Sequence, residues 1–198
     1  MTLVRAGLLT LGALAAFVAA VAVVGLLLPR DHVETRSATL AAGPESVFAA
    51  IADVGGYAAW RRSLSTVEVL PPVDGRARWV EVSGGDRIAM EQIERSAPRR
   101  LVTRIADPDL PFGGTWTFEL APAGSGTRLT ITERGEIRNP IFRAVARFVF
   151  GYGATMETYL HELAAHVRTP PRAQRGVTNG EDEVRSHRLV DGRRRVDK

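Results

Sequence analysis

No cysteine occurs among the 198 residues, which excludes disulfides and thiolate metal sites and leaves the redox compartment open. Lysine is almost as scarce: Lys198 stands against 25 arginines, a bias that a GC-rich coding sequence produces and that says little about binding. Phosphate-cradling glycine patterns are missing too, since Gly55-Gly56 and Gly84-Gly85-Asp86 lack the G-x-G-x-x-G or G-K-[ST] context. His161 and His166 stand one residue too far apart for the zinc motif HExxH. At 3.6 residues per turn, an i+5 spacing turns the second imidazole roughly 140° past the first. No Ser/His/Asp set is suggested locally, and Asp107-Pro108-Asp109 reads as a turn rather than a calcium or acid/base pair. No metal and no cofactor are expected.

Charge excludes a second class. The net charge of +4 is uneven, because the stretch from Thr169 onward holds eight basic and five acidic residues, leaving only +1 for everything before it. That stretch starts at Pro170-Pro171 and has no apolar periodicity, so residues 169–198 read as a disordered charged tail. No basic face in the remainder supports nucleic-acid binding, and none is expected.

What the chain does have is one long apolar run. Ala6 to Leu28 is 23 residues with Thr10 as its one polar side chain. At a helical rise of ~1.5 Å per residue this spans roughly 34 Å, enough for a hydrocarbon core of ~30 Å. Ala20-Val21-Ala22 offers a signal-peptidase pattern, but apolar residues continue beyond it and the run exceeds the ~7–15 residues of a signal h-region. Residues 1–30 therefore read as an uncleaved single-pass anchor, with membrane contact through residues 6–28. Its signal-anchor build leans towards a domain outside the cytoplasm.

Between anchor and tail, residues 31–168 read as one domain. His32–Leu40 gives a first strand, and Pro44 with Glu45 suits the first turn of a helix that runs through Val47, Phe48 and Ile51. Asp53 ends it and is placed to cap a second short helix carrying Tyr57 and Trp60. Strand candidates follow at Thr66–Leu70, closed by Pro71-Pro72, then Arg76–Ser83, Arg87–Arg95, Arg100–Ala106, Thr115–Leu120 and Arg128–Arg134. Hairpin-length connections predict an antiparallel meander. A long helix begins at Pro140, with Phe142, Val145, Val149, Tyr152, Met156, Leu160, Leu163 and Val167 on one face. Gly151 and Gly153 in its middle mark either close packing, tolerated drift or a kink.

This β-α-α-β6-α order, with A-A-G-P-E-S-V-F-A-A-I-A-D, Y-A-A-W and W-T-F-E-L-A-P-A-G-S-G-T-R-L-T-I-T, resembles the START-like, or SRPBCC, superfamily in its polyketide cyclase/dehydrase and lipid-transport branch. The resemblance covers essentially the whole domain and rests on turns and core positions, not on activity residues. It implies an α+β helix-grip fold: a curved antiparallel sheet wrapped around the C-terminal helix, enclosing an apolar cavity.

A curved sheet facing one amphipathic helix independently has more inward apolar surface than the helix covers, so a pocket is expected. Strand parity turns Trp116, Phe118 and Leu120 inward, with Leu129 and Ile131 beside them. Ile88, Met90 and Gln92 share a face, as do Trp79 and Glu81. The last helix adds Tyr152, Met156 and Tyr159, and Trp60 lies at the rim or seals the core below. Glu81, Gln92 and Glu133 are the polar candidates, since a polar group facing a cavity needs a partner. No histidine is expected on a core strand. The expected role is a membrane-tethered binding or carrier domain for a lipid, a polyketide or a similar hydrophobic small molecule. The alternatives are a cyclase/dehydratase working in the same cavity on an aromatic polyketide-like substrate, and a protein-interaction module.

Overall fold

The computed structural model describes residues 2–151 and 153–168, so the charged tail and Tyr152 lie outside the described residues. Its first element is α1, Thr2–Leu27, an apolar helix exposed along most of its length, with Leu9 at 75% and Phe17 at 66%. By length and composition it is able to cross a membrane.

Seven strands then build one antiparallel sheet in the order β1-β7-β6-β5-β4-β3-β2. They are β1 (Asp31–Leu40), β2 (Thr66–Val73), β3 (Arg76–Ser83), β4 (Asp86–Ser96), β5 (Arg100–Ile105), β6 (Phe112–Ala123) and β7 (Gly126–Ile137). Consecutive strands pair as hairpins from β2 to β7, and β1 returns to pair with β7. Burial alternates cleanly along β1, turning His32, Glu34, Arg36, Ala38 and Leu40 to the inner face. β2 continues through Pro71-Pro72 to Val73, past the end expected for it, with an irregular register between Leu70 and Val73. An edge strand tolerates proline because the lost N–H would have faced solvent.

Between β1 and β2 the chain forms α2, Pro44–Ala52, and a 3-10 turn, Val54–Ala59. Asp53 joins them as the sequence predicts, its side chain accepting the Gly56 N–H at 3.3 Å. Val47, Phe48 and Ile51 of α2 meet Leu101, Phe118, Leu129 and Ile131 of the sheet, forming the main core with Met156, Tyr159, Leu160 and Leu163 of the C-terminal helix.

That C-terminal helix differs from the single long one expected from Pro140. It divides into α3 (Pro140–Val145), a π turn (Ala146–Phe150) and α4 (Ala154–Arg168). Gly151 stops the first part in the left-handed region at φ 71°. Gly153 lies beneath Arg36 of β1, where a Cβ would sit 2.2 Å from the guanidinium. Val149 accordingly leaves the apolar face and is exposed, whereas Met156, Leu160 and Leu163 keep it. α4 seats Tyr159 and Met156 against the sheet and fixes the site described next.

Candidate functional site

The concave face of the sheet, α3, the π turn and α4 enclose a cavity of about 430 Å³. Its walls are mainly apolar: Met90, Ile88, Ile105, Phe112, Trp116, Phe118 and Ile137 come from the strands, and Phe142 and Ala146 from the segment after β7. Polar groups gather at two places.

At the buried end, Arg61 follows Tyr57 by one helical turn, and Trp79 and Glu81 alternate on β3. Arg61 Nη1 donates to Glu81 Oε1 at 2.6 Å, and the Trp79 indole donates to the same oxygen at 3.1 Å. The guanidinium also lies 5.1 Å from the Tyr57 ring centre and 5.3 Å from that of Tyr159, within cation–π range. Tyr57 donates its hydroxyl to the Ile51 carbonyl at 2.6 Å. The Tyr159 hydroxyl is buried and has no hydrogen-bond partner among the described residues. Burial raises both phenols above their ordinary range, so each stays protonated and able to donate. Tyr159 lines the cavity with its side chain, while the hydroxyl oxygen itself is shut off from accessible space.

Nearer α3, Glu133 on β7 stands opposite Trp116 on β6 and Glu34 on β1. Its Oε1 lies 3.6 Å from His32 Nε2. The imidazole rests over Gly135, where a Cβ would approach it to 2.4 Å, so the close seat requires glycine. Burial raises the Glu133 carboxyl above its ordinary value, and the His32 charge and hydrogen bonds to Trp116 and His32 only partly offset this. A carboxyl of raised proton affinity beside an imidazole is a pair able to hold and pass a proton.

Seven of the expected cavity residues lie together in the wall: Trp79, Glu81, Met90, Trp116, Phe118, Glu133 and Tyr159. Trp60 does not. It packs behind Tyr159 with ring centres 5.2 Å apart and stacks on His166 at 5.5 Å, bridging the main core and a smaller one around Tyr57 and Trp79. Gln92 is half-buried and is not part of the cavity wall, although its partner Thr103 on β5 is; the register shift in β4 begins only beyond it. Met156 is fully buried core, and Tyr152 lies outside the described residues. His32, which begins the first strand as read from the sequence, lines the cavity from β1 and corrects the expectation that no core strand offers a histidine. The parity that turns Leu40 inward turns His32 inward too, and was the available signal. Arg61 was missed because one arginine after an aromatic turn has no local signature.

The fold has many solved relatives. A protein from Thermus thermophilus, TTHA0849, superposes with a TM-score of 0.57 at 24% identity, covering 69% of this chain and 97% of its own. The Zhui aromatase/cyclase from Streptomyces sp. R1128 gives 0.58 at 16% identity, covering 74% and 99%. A START superfamily protein from Mycobacterium smegmatis gives 0.54 at 17% identity, covering 69% and 97%. At these identities the likeness is one of fold. No curated protein sequence matches the chain. The family model for polyketide cyclase / dehydrase and lipid transport matches residues 32–168, from the histidine of β1 to the last residue of α4. A sheet gripping a C-terminal helix around an apolar cavity is thus accounted for by descent: the chain belongs to the polyketide cyclase / dehydrase and lipid transport family.

Proposed function

We propose that the protein is a membrane-tethered binding or carrier domain for a hydrophobic small molecule, a lipid or a polyketide-like compound. The observation that carries this reading is the cavity itself: about 430 Å³, walled by Trp, Phe, Ile and Met, with Arg61, Glu81 and Glu133 as polar points in its lining. Pockets of this size and lining suit ligands that are mostly apolar with one or two polar groups. Residues 1–30 are the anchor in this proposal and residues 31–168 the binding domain. Only Leu28, Pro29 and Arg30 separate α1 from β1, a reach of about 11 Å at most. An anchored domain on so short a tether stays beside the bilayer, where an insoluble ligand partitions. The signal-anchor build of residues 6–28 favours a domain outside the cytoplasm.

Native mass spectrometry of the detergent-extracted full chain tests the reading. An apolar small molecule should be released on activation. A protein that carries nothing and also takes up no fluorescent fatty acid or polyaromatic probe would end the proposal.

One observation favours a second reading, a cyclase/dehydratase. The protonatable Glu133 beside His32 faces the same apolar space and could move a proton on a bound polyketide-like chain. Turnover of such a substrate that survives both Glu133→Gln and Tyr159→Phe would exclude these residues as its acid and base.

A further inference from the structure

The segment from Pro140 to Gly151 has two apolar sides. Phe142, Ala146 and Gly151 belong to the cavity wall. Phe148 and Val149 point out of the protein, exposed at 68% and 69%. Single surface hydrophobes are ordinary, but an adjacent Phe-Val pair on the rim of an apolar cavity is a patch that needs a cover.

The same segment is fastened to the end of α1. A Cβ on Gly25 would lie 1.8 Å from the Pro140 carbonyl oxygen, so the two backbones touch there and only glycine permits it. Arg143, 3% exposed, donates Nη1 to the carbonyls of Gly25 at 2.8 Å and Leu28 at 3.0 Å. Its Nε reaches the Ile137 carbonyl at 2.9 Å and its Nη2 the Arg138 carbonyl at 3.1 Å. One guanidinium thus satisfies carbonyls that the last turn of α1 leaves open, places a cation at the negative end of its dipole, and holds the start of α3. Gly25 stands two residues before the end of α1, about 3 Å along the axis. With α1 in a bilayer, this contact sets α3 where hydrocarbon gives way to headgroups.

We infer that the Pro140–Gly151 segment lies in the membrane–water interface with Phe148 and Val149 among the lipids, so that the cavity mouth faces the bilayer and its ligand enters from the lipid side. The inference rests on the tether reading of α1. A lipid surface, rather than a second copy of the chain, is the occupant because Leu26 and Leu27, exposed at 67% and 82%, stand at the same level. Whatever medium covers the end of α1 also covers the segment latched to it. Exposed Arg30 and Arg147 sit beside the latch, placed for lipid phosphates.

The absence of native cysteine makes the test clean. Leu14→Cys, Phe148→Cys and Ser125→Cys are made singly in the full chain and labelled with an environment-sensitive fluorophore. Each is reconstituted in vesicles of phosphatidylcholine and phosphatidylglycerol containing brominated lipids. Ser125 lies in the β6–β7 turn, roughly 35–40 Å from the Ile137 end of β7 at ~3.3 Å per residue. Blue-shifted emission with lipid quenching at 14 and 148, and neither at 125, is the expected result. Quenching at 14 with a water-like, unquenched label at 148 overturns this inference and leaves the tether standing. A label at 14 that no lipid quenches overturns the tether and this inference with it. A blue shift at 148 without lipid quenching, accompanied by 148–148 crosslinking, assigns the patch to a second copy and also overturns it.

Discussion

Arg61 and Glu81 form an ion pair of 2.6 Å in the cavity wall, with side chains only 12% and 13% exposed. Such a pair gives little net stability, but removing one partner strands a charge in a poor solvent, at a cost of about 3–5 kcal/mol when burial is complete. Here the adjoining cavity relieves part of that, so Glu81→Ala should lower unfolding free energy by roughly 2–4 kcal/mol. Arg61→Ala should do the same by orphaning the carboxylate and the stacked phenols. The double variant should be less damaged than the two costs summed, because no charge is then left alone. Trp60, Trp79 and Trp116 all lie in or beside this region, so tryptophan fluorescence during denaturation of the detergent-solubilised chain reports it directly. Strictly additive losses would show that the two charges are not coupled.

Glu133 gives the stability a pH signature. Burial first, against the partial relief of His32 and Trp116, raises its carboxyl above the ordinary 4.5. The folded chain therefore holds this proton more tightly than the unfolded chain does. The stability that Glu133 contributes is fully present below the unfolded value and is lost as pH rises through the folded value. Glu133→Gln removes that loss. Melting curves taken at rising pH from about 4.5 should show the variant gaining on the parent until the carboxyl is fully ionised, then a constant gap. A gap that closes with rising pH would mean that the His32 pairing outweighs burial.

Tyr159 separates binding from folding. Its buried hydroxyl makes no hydrogen bond among the described residues, so Tyr159→Phe removes an unsatisfied group and should leave the melting point equal or higher. The ring keeps its contacts with Trp60, Trp116 and Phe118. A ligand whose binding turns the hydroxyl into the cavity and accepts its proton should bind the variant about tenfold more weakly, the worth of one hydrogen bond of roughly 1.4 kcal/mol. Unchanged affinity for a copurifying ligand would place its polar group elsewhere, with the Arg61 and Glu81 cluster the next site to vary.

Local pattern explains which features the sequence disclosed. Strand alternation is a two-residue rhythm, and it located the inward faces of Trp116, Phe118 and Trp79 without knowledge of partners. The Asp53 cap was legible because it acts three residues away. The Arg61–Glu81 pair bridges 20 residues and the Arg143–Gly25 bond 118, so neither leaves a trace in a local window. Gln92 keeps the parity of Met90 opposite Thr103 of the cavity wall, the register shift coming only after it, so alternation alone does not separate it from the wall residues. Val149 failed because it sits in the π turn Ala146–Phe150, whose wider winding takes it off the face that a 3.6-residue spacing assigns to it.

The two glycines of that break should respond differently. Gly151 has open space around its Cα but a φ of 71°, so Gly151→Ala meets backbone strain alone. With ψ at 150° this is backbone that essentially only glycine adopts, so the substitution should cost about 1–3 kcal/mol. Gly153 is the reverse case. Its added methyl would strike the Arg36 guanidinium, which now bonds Glu157 at 2.8 Å and Glu34 at 3.0 Å. That guanidinium ends a flexible chain and can swing away, so Gly153→Ala should lose those bonds rather than unfold α4. Because the three side chains are exposed by a third or more, solvent screens these pairs and the loss should be small. Salt distinguishes the two. Denaturation at low and high ionic strength should shrink the Gly153→Ala deficit, whose origin is charge, and leave that of Gly151→Ala unchanged. A salt-insensitive Gly153→Ala would show that close packing of α4 against β1, not the Arg36 network, is what the missing side chain protects.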